Sequence, residues 1–101
     1  MGLRIKKGVR VRGLSNEAMI GIHLAESVFE RHSHDCIITS ITDGTHSKNS
    51  RHYIGMAFDL RRRHLDSDKQ ANEILKELIS ELGSEYLIIL EKTHYHIQYN
   101  G

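Results

Sequence analysis

The chain contains no proline and no tryptophan, one cysteine, and 6% aromatic residues. With no proline there is no proline-rich linker, and neither an internal repeat nor a low-complexity segment divides the sequence. A single cysteine excludes an internal disulfide and makes redox chemistry a poor expectation; Cys36, at the head of the apolar run CIITSI, reads as a small buried hydrophobe. No stretch approaches the roughly 20 apolar residues needed to span a bilayer. The N-terminal MGLRIKKGVRVRG also lacks the continuous apolar core of a signal peptide. The expectation is a chain that is cytoplasmic as synthesised, whose later export would need outside help. Its formal charge of +1 lacks the strong cationic field usual in nucleic-acid binders, so neither nucleic acid nor membrane is expected as a partner.

A length of 101 residues fits one domain, residues 1–101, and one core. A domain of that size buries only about two-thirds of its unfolded surface. What the chain has in excess is histidine, eight in all. His32 and His34, in ERHSHD, follow a helical pattern and read as polar loop residues. His23 lies among apolar neighbours within that pattern and reads as a partly buried, hydrogen-bonded imidazole. His46, His52, His94 and His96 require a different account.

From Ser15, SNEAMIGIHLAESVFERH places Ala18, Ile22, Ala25 and Phe29 at helical spacing, with Ser15 as N-cap and Glu17 in the first turn. CIITSITDG is β-branched and reads as a strand ending at Asp43-Gly44, followed by a loop from Thr45 to Arg51. In MAFDLR, Phe58 and Leu60 alternate with Ala57 and Asp59, so a strand there buries one face and presents Asp59 on the other. After the charged loop RRRHLDSD, a second helix starts near Ser67, repeats Ala71, Ile74 or Leu75, Leu78 and Leu82, and stops at Gly83. YLIIL is a continuous apolar run of the central-strand type. In THYHIQY, Thr93, Tyr95, Ile97 and Tyr99 alternate with His94, His96 and Gln98, so both histidines share one face of a strand. Glu91 to Thr93 has the length of a tight hairpin loop.

A catalytic zinc takes three protein ligands from His, Asp and Glu and leaves a fourth position open. His52, Asp59 and one histidine of the HxH pair would supply such a set, and the small Gly55 and Ala57 let the backbone turn so that the donors converge. Ser50-x-His52-x-x-Gly55-x-Ala57-x-Asp59 resembles the SxHxxGxAxD signature of the zinc D-Ala-D-Ala peptidases, and Glu91-x-x-His94-x-His96 resembles their second motif. The stretch from His46 to Leu60 is also similar to the zinc region of the hedgehog signalling domain, which shares that fold. The resemblance covers roughly the last 60 residues.

It implies an α+β fold, a small antiparallel sheet packed against two helices. It implies zinc held by His52, Asp59 and His96, with His96 favoured over His94 as the third ligand. Glu91 would act as general base and His94 would steady the oxyanion, while His46, Ser50 and Tyr53 would line the substrate cleft beside Ile54. Apart from the motifs, Glu91 reads as a solvated turn carboxylate near Lys92, and Tyr53 and Ile54 equally well as core. RRRH, residues 61–64, reads as a solvated basic loop that in this setting would attract an anionic wall peptide. The implied protein is a monomeric, phage-type peptidase acting on peptidoglycan stem peptides at the bacterial cell wall after release or delivery. It would be either a D-Ala-D-Ala carboxypeptidase or an L-Ala-D-Glu endopeptidase. The alternative is a catalytically silent zinc-containing binding module or a virion-associated structural domain.

Overall fold

The computed structural model describes residues 2–42 and 54–101. Along them run β1 (Leu3–Ile5), α1 (Asn16–Arg31), β2 (Cys36–Ser40), β3 (Ala57–Arg61), α2 (Asp68–Leu82), β4 (Tyr86–Leu90) and β5 (His94–Tyr99). Both helices begin on a serine cap. Ser15 Oγ accepts from the Ala18 N–H at 3.1 Å, and Ser67 Oγ accepts from the Gln70 N–H at 3.1 Å, each satisfying a donor left over by the first turn. At the far end of α2, Gly83 adopts a φ of 86°, where a glycine terminates a helix without a Cβ penalty. The buried stripe of α1 includes Ala18, Ile22, Ala25 and Phe29, and that of α2 is Ala71, Ile74, Leu78 and Leu82. Both follow the sequence periodicity.

The strands form one sheet in the order β1-β2-β3-β5-β4, against which the helices pack. The fold is α+β. Four strands pair antiparallel as expected, whereas β1 lies parallel to β2 and makes the sheet mixed. At three residues, LRI is too short to carry a countable period.

YLIIL is not a central strand: β4 closes the edge of the sheet, because β5 pairs with β3 on one side and with its hairpin partner β4 on the other. Tyr86, Ile88 and Leu90 pack on the core, while Leu87 and Ile89 are 42% and 41% exposed. A continuous apolar run does not distinguish a strand covered on both faces from an edge strand with an apolar outer face.

At the centre of the core the Phe29 and Tyr95 rings meet edge to face, 5.8 Å apart. Tyr95 is fully buried, and its hydroxyl donates to the Ala71 carbonyl at 2.6 Å, so the polar tip is satisfied within α2. Burial also pushes the Cys36 thiol up to about 12, which leaves it inert at neutral pH. Two of the other histidines belong to the scaffold. His32 hydrogen-bonds Glu77 and joins the end of α1 to α2, and His34 stands 3.3 Å from Asp66. His23 is exposed rather than partly buried, since it lies off the α1 stripe that meets the sheet.

Gly55, expected to let ligands converge, occupies a tightly packed position. Its φ is 72°, and a Cβ at that position would lie 1.9 Å from the Gly13 carbonyl oxygen. The Gly55 carbonyl in turn accepts from the Ser15 N–H at 3.0 Å, so the segment entering β3 is fastened to the segment entering α1. Gly55→Ala adds a left-handed strain to a backbone clash and is expected to cost about 2–4 kcal/mol. Urea unfolding should show a lower midpoint at an unchanged slope. A loss under about 0.5 kcal/mol, the range of neutral surface changes, would contradict this packing.

Candidate functional site

Alternation along β3 and β5 sorts their side chains onto two faces. Phe58, Leu60, Tyr95 and Ile97 face the helices and are fully buried. The opposite face carries Asp59, Arg61, His94, His96 and Gln98, brought together by the register that pairs Asp59 with His96 and Arg61 with His94. Asp59 is the one buried charged residue among the described residues, 8% exposed, on a strand whose other face is wholly apolar.

The Asp59 carboxylate lies between the two imidazoles. Its Oδ1 is 3.2 Å from His96 Nδ1, and its Oδ2 is 3.7 Å from His94 Nε2. The same His94 Nε2 meets Glu91 Oε2 at 2.7 Å, while Thr93 Oγ1 lies 2.9 Å from His94 Nδ1. His96 Nε2 is 2.7 Å from Gln98 Oε1, and Gln98 Nε2 donates to Asn100 Oδ1 at 2.9 Å. Both nitrogens of His96 therefore face oxygen atoms, an arrangement that a proton on each or a cation at one of them satisfies. The Asp59 carboxylate raises the pKa of His96 above the ordinary value, against the opposing effect of burial and with help from Gln98.

Arg62 braces the hairpin that presents Glu91. Its Nη1 donates to the Glu91 carbonyl at 2.9 Å, and its Nη2 pairs with Asp68 Oδ1 at 2.7 Å at the start of α2. From the sequence Arg62 is one of three arginines in a loop, with no feature that separates it from its neighbours. Gln98 was accessible to the period-2 pattern that placed His94 and His96 together; Thr93 was not, because that pattern sets it on the other face.

Of the residues expected to form the site, Asp59, Glu91, His94 and His96 come together. His46, Ser50, His52 and Tyr53 lie outside the described residues. Ile54, placed beside the cleft, is 59% exposed. Among the described residues no three His, Cys, Asp or Glu side chains form a ready metal-binding group, and the third donor of the expected set is His52. The donors that are described do fit zinc in kind: a carboxylate oxygen and an imidazole nitrogen 3.2 Å apart, with a second imidazole adjacent.

Compared with models of known protein families, with characterised proteins and with solved structures, the chain matches none. Any functional reading therefore stands on these side chains and on the two motifs.

In chelator-treated protein the Asp59–His96 pair should leave a pH signature. Because folding raises the His96 pKa, the stability gained from the pair is fully present below about pH 6.5, the unfolded value, and is lost as pH rises through the folded-state value. Asp59→Asn removes the largest cause of the shift, so His96 should titrate at lower pH than in the parent protein. Ring-proton NMR titrations would show it, and an unmoved His96 midpoint in the variant would refute the coupling.

Proposed function

We propose that the protein is a zinc-dependent peptidase that hydrolyses peptidoglycan stem peptides, of the D-Ala-D-Ala carboxypeptidase or L-Ala-D-Glu endopeptidase type. The observation that carries this reading is the contact chain Glu91–His94–Asp59–His96, Glu91 on the hairpin and the other three on one sheet face, with neighbours 2.7, 3.7 and 3.2 Å apart. Asp59 and His96, with His52 from the first motif, are the residues that would hold zinc. His96 is favoured over His94 because it is the register partner of Asp59, whereas His94 is engaged by Glu91. Bound zinc would supply a Lewis acid that polarises a carbonyl and acidifies water.

The remaining chemistry belongs to the chain's own groups. Glu91 has a half-exposed carboxylate on a braced hairpin, suited to take a proton from attacking water and return it to the leaving amine. His94 Nε2 faces both Glu91, at 2.7 Å, and Asp59, at 3.7 Å, so it orients the base and would steady negative charge developing beside it. His46, Ser50 and Tyr53 complete the proposed substrate cleft. The reading carries with it a monomer acting at the bacterial cell wall after release or delivery.

Purified protein should bind one zinc per chain, and Asp59→Ala, His52→Ala and His96→Ala should each lose it, while His94→Ala retains it. Full zinc occupancy in His52→Ala or Asp59→Ala would rule out the ligand set. Glu91→Gln keeps the side chain's shape without a usable proton acceptor. It should retain zinc and lose at least about 10²-fold in turnover of muropeptides followed by mass spectrometry. Zinc-replete protein that binds these peptides and cuts none of them would instead establish a binding module.

A further inference from the structure

The two edges of the sheet are protected unequally. At one edge β1 is only three residues long and carries Arg4, which pairs with Asp35 at 2.9 Å. Short strands and charge are the usual means by which a sheet avoids further pairing. At the other edge stands β4, YLIIL, with neither a charge nor a proline along its length.

Hydrogen bonding along β4 alternates. The Glu91 N–H donates to the His94 carbonyl at 2.8 Å, and the Asn100 N–H donates to the Glu85 carbonyl at 2.8 Å, so Glu85, Leu87, Ile89 and Glu91 turn their backbone groups toward β5. Ile88 and Leu90 therefore direct N–H and C=O outward, where no further strand lies among the described residues. The side chains are apolar on both faces: Tyr86, Ile88 and Leu90 pack on the core, while Leu87 and Ile89 are exposed on the open face beside Gln98 and His96. A strand that covers this edge has to be apolar on both of its own faces. Among the described strands, β4 alone is apolar throughout.

We propose that the β4 edge is a homodimer interface, in which β4 pairs antiparallel with the partner's β4 across a two-fold axis and joins the two sheets into one. Pairing through the outward groups allows a small set of registers. With Ile88 opposite the partner's Ile88, Glu85 would face the partner's Glu91, and like charges directly opposite are destabilising. That register and the one centred on Leu87 both draw on the Tyr86 N–H, which the Gly83 carbonyl already holds at 3.3 Å. With Ile89 opposite the partner's Ile89, Ile88 exchanges both hydrogen bonds with the partner's Leu90, no charge faces a like charge, and Leu87 and Ile89 lose water on the open face. The register centred on Ile89 is the one these constraints leave.

It also aligns the candidate sites. Asp59, His96 and Ile89 stand in successive register across β3, β5 and β4, so a two-fold axis at Ile89 continues that row into the second copy. Five strand spacings of about 4.8 Å set the two Asp59 residues about 24 Å apart on the same side of the sheet. On the peptidase reading, two sites facing one way suit a polymeric wall substrate, because a second contact on the same polymer becomes intramolecular. The interface itself rests on the sheet edge alone, and it replaces the monomer that came with that reading.

Sedimentation velocity at rising concentration should show the parent protein passing from monomer to dimer. Oxidation of Ile89→Cys should give a covalent dimer, because a non-hydrogen-bonded cross-strand pair brings the two Cβ atoms close enough for a disulfide. Leu87→Cys should remain unlinked, and the buried Cys36 does not compete. Ile89→Lys and Ile89→Glu should each be monomeric where the parent is dimeric, and mixing the two should restore a dimer of one copy of each, which shows that both variants fold. A parent that stays monomeric, an Ile89→Cys that does not link, or an Ile89→Lys that still dimerises would overturn the interface. A monomeric parent that cleaves muropeptides would remove the interface and leave the peptidase reading, whereas a dimeric parent that cleaves none would remove that reading and leave the interface.

Discussion

The antiparallel pairing of β3 with β5, in the register that sets Asp59 opposite His96, is the constraint on which the rest of the molecule depends. One face of those two strands supplies Phe58, Leu60, Tyr95 and Ile97 to the core, and the other supplies Asp59, His94 and His96 to the candidate site. A slip of one residue would turn the apolar set outward and the acid and imidazoles inward. The hydrophobic effect that holds the core together thus also holds the ionisable groups in place, since neither set can move without the other.

Burying a carboxylate without partners is costly, and Asp59 is tolerated because His94 and His96 flank it. The same argument accounts for the surrounding contacts. Gln98 occupies the far nitrogen of His96, Thr93 the far nitrogen of His94, and Arg62 ties the Glu91 backbone to the start of α2. Each holds a ring or a hairpin that the strand alone would leave free to turn. Such secondary contacts set the orientation and basicity of groups that bind metals or move protons.

Much of this was legible in the sequence because it depends on local periodicity. The cap Ser15, the start of α2 near Ser67, the stop at Gly83, both buried helix stripes and the division of β5 into two faces follow from residue type and spacing. What was not legible depends on tertiary neighbours. Nothing in YLIIL reveals that it closes an edge, nothing within α1 reveals that His23 faces away from the core, and the space a Cβ would need at Gly55 is taken by Gly13, forty-two positions earlier. The arginines of RRRH were inseparable as a run. They become distinct only once β3 ends at Arg61 and its two neighbours turn toward α2 and solvent.

The two ends of the open face differ in geometry. Toward the end of β5, His96, Gln98 and Asn100 form a chain of polar contacts that fixes one imidazole against Asp59. Toward its start, Glu91 is half-exposed and Arg61 borders an open cleft. Rigid groups suit the holding of an ion, and groups that face a cleft suit contact with a ligand. On the proposed reading, a two-residue step along one strand would separate an ion-holding end from a ligand-facing end, and the pleat of the sheet keeps both on the same side.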